Sequence, residues 1–363
     1  MSGLPLRSSR LVSKFRENDR IHCEGFLIVT LNDIFTARVR IRSVATWTHL
    51  IEFSRPEDHT ADERRHFLKP ENQQPIGAFK LRGAYNKIAS LSAEERKRGV
   101  ISYSSGNHAQ GVAYAARALG VNAVIVMPNN APAIKRQATA ALGADIVLVG
   151  PGSTKRQLKA EELAVQHAYI IVPPYNDEKI IAGQGTMGLE ILEDLPDVET
   201  ILVPVGGGGM ISGMATAIKL SKPSVKVIGV EPELAADAQA SLRAGKIIDF
   251  PAEQVSRTIA DGLRTQSLGA ITFEHMRRYV DDIVTVKEDE IREAVKLLAS
   301  NPNTVAEPSG AVAVAAFLFH RNELPKTKMN VGVISGGNID PKLLQEIRCD
   351  PAASFTSPSR KPS

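Results

Sequence analysis

From Gly99 onward the chain alternates short, unbroken apolar runs with helical segments, and few folds accept that pattern. Val100-Ile101-Ser102-Tyr103 reads as a strand, and Ala109 to Leu119 as an alanine-rich helix. Val121 to Met127 is a second strand, ended by Pro128; residues 131–142 form a helix closed by Gly143. Ile146 to Val149 is a third strand, Lys155 to His167 a third helix, and Ile170-Ile171-Val172 ends the unit. Apolar runs without alternation belong to strands covered on both faces, which is the parallel α/β arrangement. A second unit follows: a helix over 180–194, the strand Ile201 to Val205, the loop Gly206 to Gly209, the helix Met210 to Lys219 and the strand Val225 to Val230. Helices over 288–299 and 310–320 and the strand Val331 to Ile334 complete it. A chain of 363 residues accommodates two such lobes.

The remainder is less regular. Thr30 offers a helix start, with Ile34, Val39, Ile41 and Val44 as inward positions. Thr46 to Phe53 is strand-like, 54–66 reads as a charged surface loop or short helix, and Arg82 to Leu91 has helical spacing. Residues 1–28 are an N-terminal extension, partly disordered, and the Ser-, Pro- and base-rich residues 350–363 a disordered tail.

Composition excludes several function classes. Net charge is +4, from 44 basic and 40 acidic side chains, too small an excess to call for nucleic acid or an anionic membrane. The longest apolar run, Ala311 to Phe319, is too short to span a bilayer. Cys23 and Cys349 stand far apart, with no metal spacing and no disulfide framework, so a reducing compartment is acceptable. No secretion signal is evident, and the cytoplasm is the expected location.

Three glycine-containing turns follow apolar strands, at 104–108, 206–209 and 335–338. In an open parallel sheet, ligands bind beyond the carboxyl ends of the strands, so the three turns predict one site. Gly206 to Gly209, between a buried strand and a helix, can aim several backbone N–H groups at one anion, with the helix dipole behind them. No Lys-Ser/Thr pair follows, and the loop is not G-x-G-x-x-G in a first βαβ unit, so a lone phosphate fits better than a nucleotide. Lys80 lies in Gln73-Gln74-Pro75-Ile76-Gly77-Ala78-Phe79-Lys80-Leu81-Arg82-Gly83-Ala84, among small and apolar neighbours. An ammonium held there is desolvated, which lowers its pKa. A phosphate cradle together with a desolvated lysine points to pyridoxal 5′-phosphate.

These residues carry a family resemblance. From about Val29 to Ile347 the chain resembles the fold-type II pyridoxal-phosphate enzymes of the serine/threonine dehydratase (threonine ammonia-lyase) and serine racemase group. The motifs are Gly77 to Ala84, Ser104-Ser105-Gly106-Asn107-His108, Gly206-Gly207-Gly208-Gly209-Met210, Glu307-Pro308-Ser309-Gly310 and Ser335-Gly336-Gly337-Asn338. The resemblance implies two open, twisted, mostly parallel α/β lobes of the tryptophan synthase β type, with the cofactor between them. Residues 29–98 and 175–349 would form the large lobe and 99–174 the small one, in a homodimer.

It also implies roles. Lys80 would be the lysine that carries the cofactor and the base on one face of it. Phe79 would pack on its ring, and Asn107 would bond its phenolic oxygen. Gly206, Gly207, Gly208, Gly209 and Met210 would hold the phosphate, Glu307 would belong to the cofactor site, and Ser335 would face the pyridine nitrogen. Ser104, Ser105, Asn107 and His108 would grip the substrate carboxylate; by itself, without the motif, His108 reads rather as a structural histidine. Serine at 105, opposite Lys80, permits racemisation without proving it. Glu231, the Ala235 carbonyl and Asp237 would bind Mg²⁺ or Ca²⁺, hard cations suited to oxygen ligands; a solvated acidic loop is the alternative. Arg156 would meet a β-carboxylated substrate such as 3-hydroxyaspartate, or else is a surface residue beside Lys155.

Two departures from the family pattern are Thr48-His49-Leu50, where Thr-Pro-Leu is usual, and Gln73, where leucine is common. No regulatory domain follows residue 350, so feedback control is not expected. The activity implied is dehydration of L-threonine and L-serine to 2-oxobutanoate and pyruvate plus ammonia. Its alternatives are serine racemase, 3-hydroxyaspartate dehydratase, a pyridoxal-phosphate-binding protein without turnover, and a nucleotide-dependent redox enzyme.

Overall fold

A computed structural model describes residues 22–23, 26–54, 64–104, 106–131, 133–150 and 152–350. Most of the expected extension, nearly all of the expected tail, and Ser105 lie outside the described residues.

The strands are β1 (His22–Cys23), β2 (Phe26–Leu27), β3 (Ile51–Phe53), β4 (Arg65–Pro70), β5 (Val100–Tyr103), β6 (Ala123–Pro128), β7 (Asp145–Val149), β8 (Ile170–Ile171), β9 (Thr200–Pro204), β10 (Lys226–Pro232), β11 (Asp282–Val286) and β12 (Met329–Ile334). One sheet has the order β11-β10-β9-β12-β4-β3, parallel except for the pair β3 and β4. A second has the order β7-β6-β5-β8 and is wholly parallel. These are the two α/β sheets expected. β1 and β2 form a separate antiparallel pair.

The regular half of the chain matches its pattern because burial is complete there. All residues of β6 and of β9 are buried, so neither strand has a polar face. The helix Pro308–Phe319 is buried along its first ten positions and packs against the six-stranded sheet. β4 begins inside the stretch 54–66, expected as a loop or short helix, and runs on through residues 67–70, where no element was expected. Its His66 and Lys69 disguise it as a surface segment, yet both are buried. β11 and the helices Ala93–Arg98, Asp237–Ala244, Ala270–Tyr279 and Pro341–Cys349 also lie where no element was expected. The first of these helices buries nothing and starts on a capping box, Ser92 with Glu95.

Glycines let three helices around Lys80 pack closely. The helix Glu178–Asp194 crosses the helix Gly209–Ser221, and a methyl group on Gly213 would collide with the Ile181 carbonyl. Gly183 faces Gly83 in the same way, setting the helix Lys80–Ala89 against the Glu178–Asp194 helix. The turns after β9, β10 and β12 thus share the carboxyl edge of one sheet, and the turn after β5 comes from the other. Among the described residues no helix is long and apolar enough to cross a membrane.

Candidate active site

Lys80 is the first residue of the helix Lys80–Ala89, after Phe79. Its entry is fixed from the other end of the chain: the Phe79 N–H donates to the Ser335 carbonyl at 3.1 Å, and Ala78 bridges Gly336. Gly77 makes the preceding turn at φ +70°, a region that favours glycine. The Lys80 amine donates to the Pro174 carbonyl at 2.7 Å and stands 5.1 Å from the centre of the Phe79 ring. Among the described residues no carboxylate supports its charge, and burial lowers its pKa to about 8.

Asn107 opens the helix that follows the turn after β5. Its amide nitrogen donates to Glu307 at 2.5 Å, and its oxygen accepts from Asn338 at 2.8 Å. Two of the three predicted turns, and Glu307 at the start of the Pro308–Phe319 helix, therefore meet through one side chain. Burial, with help from Asp261, raises the Glu307 pKa to about 7, against the pull of Asn107. The Ser335 hydroxyl donates to the Ser309 carbonyl at 3.3 Å, and the Ser104 hydroxyl accepts from the Gly106 N–H at 3.3 Å.

His108 sits differently from expectation. Its Nε2 is 3.0 Å from the Val172 carbonyl, which can only accept, so Nε2 carries the proton. Nδ1 is buried without a partner. Burial, and then Lys80, lower its pKa to about 3. A neutral ring pinned this way brings no positive charge to a carboxylate, so the grip expected of His108 is not electrostatic.

Three of the loop's four glycines are required by their surroundings or their backbone. Gly208 has φ +87°. A methyl group on Gly207 would collide with the Tyr175 ring, and one on Gly209 would lie 2.9 Å from Tyr175 Cβ. The Gly207 carbonyl accepts from Thr272 at 2.8 Å, so the N–H of the same trans peptide, that of Gly208, points the opposite way. The helix Gly209–Ser221, with Met210 as its second residue, has no side-chain cap. Uncapped N–H groups at a helix start are suited to an anion.

Glu231 and Asp237 come together after β10. Glu231 accepts from the Ala238 and Gln239 N–H groups at 3.0 and 2.8 Å. Both oxygens of Asp237 are buried and without a partner. Burial raises both carboxyl pKa values, Asp237 to about 7. Among the described residues no group of three or more His, Cys, Asp or Glu could hold a metal, so a cation here would need carbonyl and water oxygens besides these two carboxylates. Arg156, on the helix Ser153–His167, is partly buried, and its Nε contacts the Gly152 carbonyl at 3.4 Å. Burial lowers its pKa.

Two features escaped the sequence. One is the pair Pro174 and Tyr175, which carries no motif. The other is a buried ion network beneath Lys80: Arg82 bonds Glu71 through two nitrogens at 2.8 Å and Glu190 at 2.6 and 2.9 Å, while Lys69 bonds Glu190 and the Thr48 carbonyl. Thr48 also donates to Glu71 at 2.6 Å, so the Thr48-His49-Leu50 departure borders this network. Only the run of charged residues in apolar company could have signalled it.

A buried amine bonded to the Pro174 carbonyl, next to the Tyr175 that packs on a loop and helix start suited to an anion, fits an enzyme that binds a phosphorylated aldehyde cofactor. The residues present fit pyridoxal phosphate. Residues 41–336 match the family described as "Pyridoxal-phosphate dependent enzyme", and the chain belongs to that family. It is 48% identical over 323 residues to an L-threonine ammonia-lyase of Thermotoga maritima, covering 88% of this chain and 78% of that protein. An L-threo-3-hydroxyaspartate ammonia-lyase of Saccharomyces cerevisiae is 40% identical, covering 87% of this chain and 95% of its own. The structure of maize serine racemase superposes with a TM-score of 0.82 at 36% identity, covering 88% and 96% of the two chains.

Proposed function

We propose that this chain is a pyridoxal-phosphate-dependent carbon–nitrogen lyase that converts L-threonine and L-serine to 2-oxobutanoate and pyruvate plus ammonia. The observation that carries it is Lys80: a buried amine with a pKa near 8 and a carbonyl, not a carboxylate, as partner. The ammonia-lyase relative at 48% identity supports the same reaction. Bound pyridoxal phosphate supplies an aldehyde for the substrate amine and a ring that withdraws electrons from the α-carbon.

The chain's own residues do the rest. Gly206 to Gly209 and Met210 hold the phosphate. Phe79 and Asn107 position the ring, and Ser335 offers its pyridine side a neutral hydroxyl. Glu307 holds Asn107 in place. Lys80 Nζ takes the α-proton once free, the β-hydroxyl leaves with a proton as water, and hydrolysis of the enamine product gives keto acid and ammonia. Ser104 and Asn107 line the carboxylate end, with Ser105 as the second acid/base. Residues 99–174 act as the small lobe, and residues 29–98 with 175–349 as the large one. A cytoplasmic homodimer belongs to this proposal on the strength of the resemblance.

Two specific observations favour a broader scope. The yeast relative's name and the partly buried Arg156 favour 3-hydroxyaspartate as a further substrate. The unpartnered Asp237 carboxylate favours Mg²⁺ or Ca²⁺ beside Glu231 and the Ala235 carbonyl. The test is a product screen on L-serine, L-threonine and 3-hydroxyaspartate, with keto acid and D-serine both measured, with and without EDTA. Keto acid from threonine and serine is expected. D-serine alone would overturn the lyase assignment, and indifference of both activity and melting temperature to EDTA would remove the cation.

A further inference from the structure

The segment from Val172 to Asp177 leaves the four-stranded sheet after β8 and enters the helix Glu178–Asp194. It is fastened along its whole length. Ser102 and His108 bond the Val172 carbonyl at 2.7 and 3.0 Å. Lys80 bonds the Pro174 carbonyl at 2.7 Å. The Tyr175 ring fills the space a side chain on Gly207 would need, and its Cβ and Cα do the same at Gly209. Asn176 accepts from the Ile271 N–H at 2.9 Å, and Asp177 pairs with Lys87 at 2.6 Å while capping the next helix.

Two adjacent residues therefore touch the two ends of the proposed cofactor site. One carbonyl holds the reactive amine, and the next side chain backs the phosphate loop. Proline at 174 fixes φ and has no N–H, so its carbonyl is the only backbone polar group it offers. Tyr175 is ring-rigid, with two side-chain angles to lose. A rigid strap touching both ends fixes the spacing between them.

We propose that Pro174 and Tyr175 form a positioning unit that sets the distance between the Lys80 amine and the phosphate loop, and so makes the site select the phosphorylated form of the aldehyde. The unit rests on the pyridoxal-phosphate reading. Tyr175 acts through packing: its ring backs Gly207, and its Cβ and Cα back Gly209 at the helix start. Lys80, when not bonded to a ligand, returns to the Pro174 carbonyl.

The experiment measures binding of pyridoxal 5′-phosphate and of unphosphorylated pyridoxal to cofactor-stripped protein, for wild type, Tyr175→Phe and Tyr175→Ala, with melting temperature recorded for each. Tyr175→Ala is expected to lose about tenfold in affinity for the phosphorylated aldehyde while pyridoxal binding stays unchanged, a loss of packing worth about 1.4 kcal/mol. Tyr175→Phe, which keeps the ring, should match wild type. Competition by inorganic phosphate should weaken in the alanine variant alone. Equal affinities in wild type and Tyr175→Ala would overturn the proposal. So would a Tyr175→Phe defect as large as that of alanine, which would assign the effect to the hydroxyl, or a parallel loss of both aldehydes, which would make Tyr175 a stability residue. A wild-type protein that binds neither aldehyde would instead sink the cofactor reading itself.

Discussion

Lys69 and Lys80 are both enclosed by this fold, and their surroundings divide them. Lys69, in β4, has no solvent-accessible surface and bonds Glu190 and the Thr48 carbonyl. Burial lowers its pKa, but Glu190 and Glu71 pull it back. Lys80, at a helix start, is partly buried and has one carbonyl for company. Nothing opposes the lowering there. Burial alone therefore does not make a reactive amine; burial without a carboxylate does. The same division runs through the acids. Glu71 and Glu190 are tied to Arg82, whereas Asp237 has no partner and Glu307 has only an amide. Paired buried charges build the framework, and unpaired ones lie where ligands are expected.

The sharpest way to break this contrast is to exchange the two lysines' fates. Lys80→Ala should lower turnover at least ~10³-fold, because it removes both the cofactor's attachment and the base. Its melting temperature at neutral pH should not fall, since the lost partner is one carbonyl and a desolvated charge is removed. Lys69→Met should do the reverse, keeping turnover per folded molecule and losing stability. A Lys69 variant that folds normally but is inactive would dissolve the distinction.

Arg82→Met probes the framework more severely. It leaves Glu71 and Glu190 facing each other's neighbourhood with Lys69 as the remaining cation, and removing one member of a buried pair costs about 3–5 kcal/mol. Denaturant unfolding should show that loss. If the variant is as stable as wild type, the network contributes nothing net, as happens when desolvation cancels attraction.

Much of this was legible in the chain, and the reasons are local. β5, β6 and β9 declare themselves because both faces are apolar. Gly208 and Gly77 mark turns because their φ values admit little else. Lys80 stands out against its apolar neighbours. The framework was illegible for the opposite reason. Arg82 and Glu190 are 108 positions apart, and each alone reads as an ordinary helix charge. β4 hid behind His66, which packs on the Phe317 ring, and Lys69, whose charge is met only by tertiary partners. Tyr175 was missed because its partner is a bare backbone, so no pairing of side chains announces it. Four glycines suggested a phosphate; that Gly207 also makes room for the Tyr175 ring, and Gly209 for the Tyr175 Cα and Cβ, required coordinates.

The pH dependence separates the two lysines without mutating either. In cofactor-free protein, Lys80 should react with a small amine-selective electrophile at a rate that rises through about pH 8, as the neutral amine forms. Its pKa is lower folded than in an unfolded chain, so the folded state binds fewer protons between pH 8 and the ordinary lysine value of about 10.5. Stability contributed by this group therefore rises with pH across that window, and the Lys80→Ala variant should lack the rise. Mapping the labelled site by mass, with Lys69 unlabelled throughout, would confirm that its carboxylate partner and enclosure protect it.

Glu307→Gln gives the smallest effect and the most delicate test. The Glu307 carboxyl titrates near 7 in the folded protein against an ordinary 4.5, so the folded state binds more protons between those values. This group's contribution to stability accordingly falls as pH rises from about 4.5 through about 7, once the buried charge forms. Glutamine keeps the acceptor for Asn107 and never ionises. The variant should be close to wild type near pH 5 and more stable, by roughly 2–3 kcal/mol, above pH 8. Unfolding curves at both pH values decide it. A variant less stable than wild type at high pH would mean that the Glu307 charge is supported by a partner, and would move it from the unpaired acids to the framework.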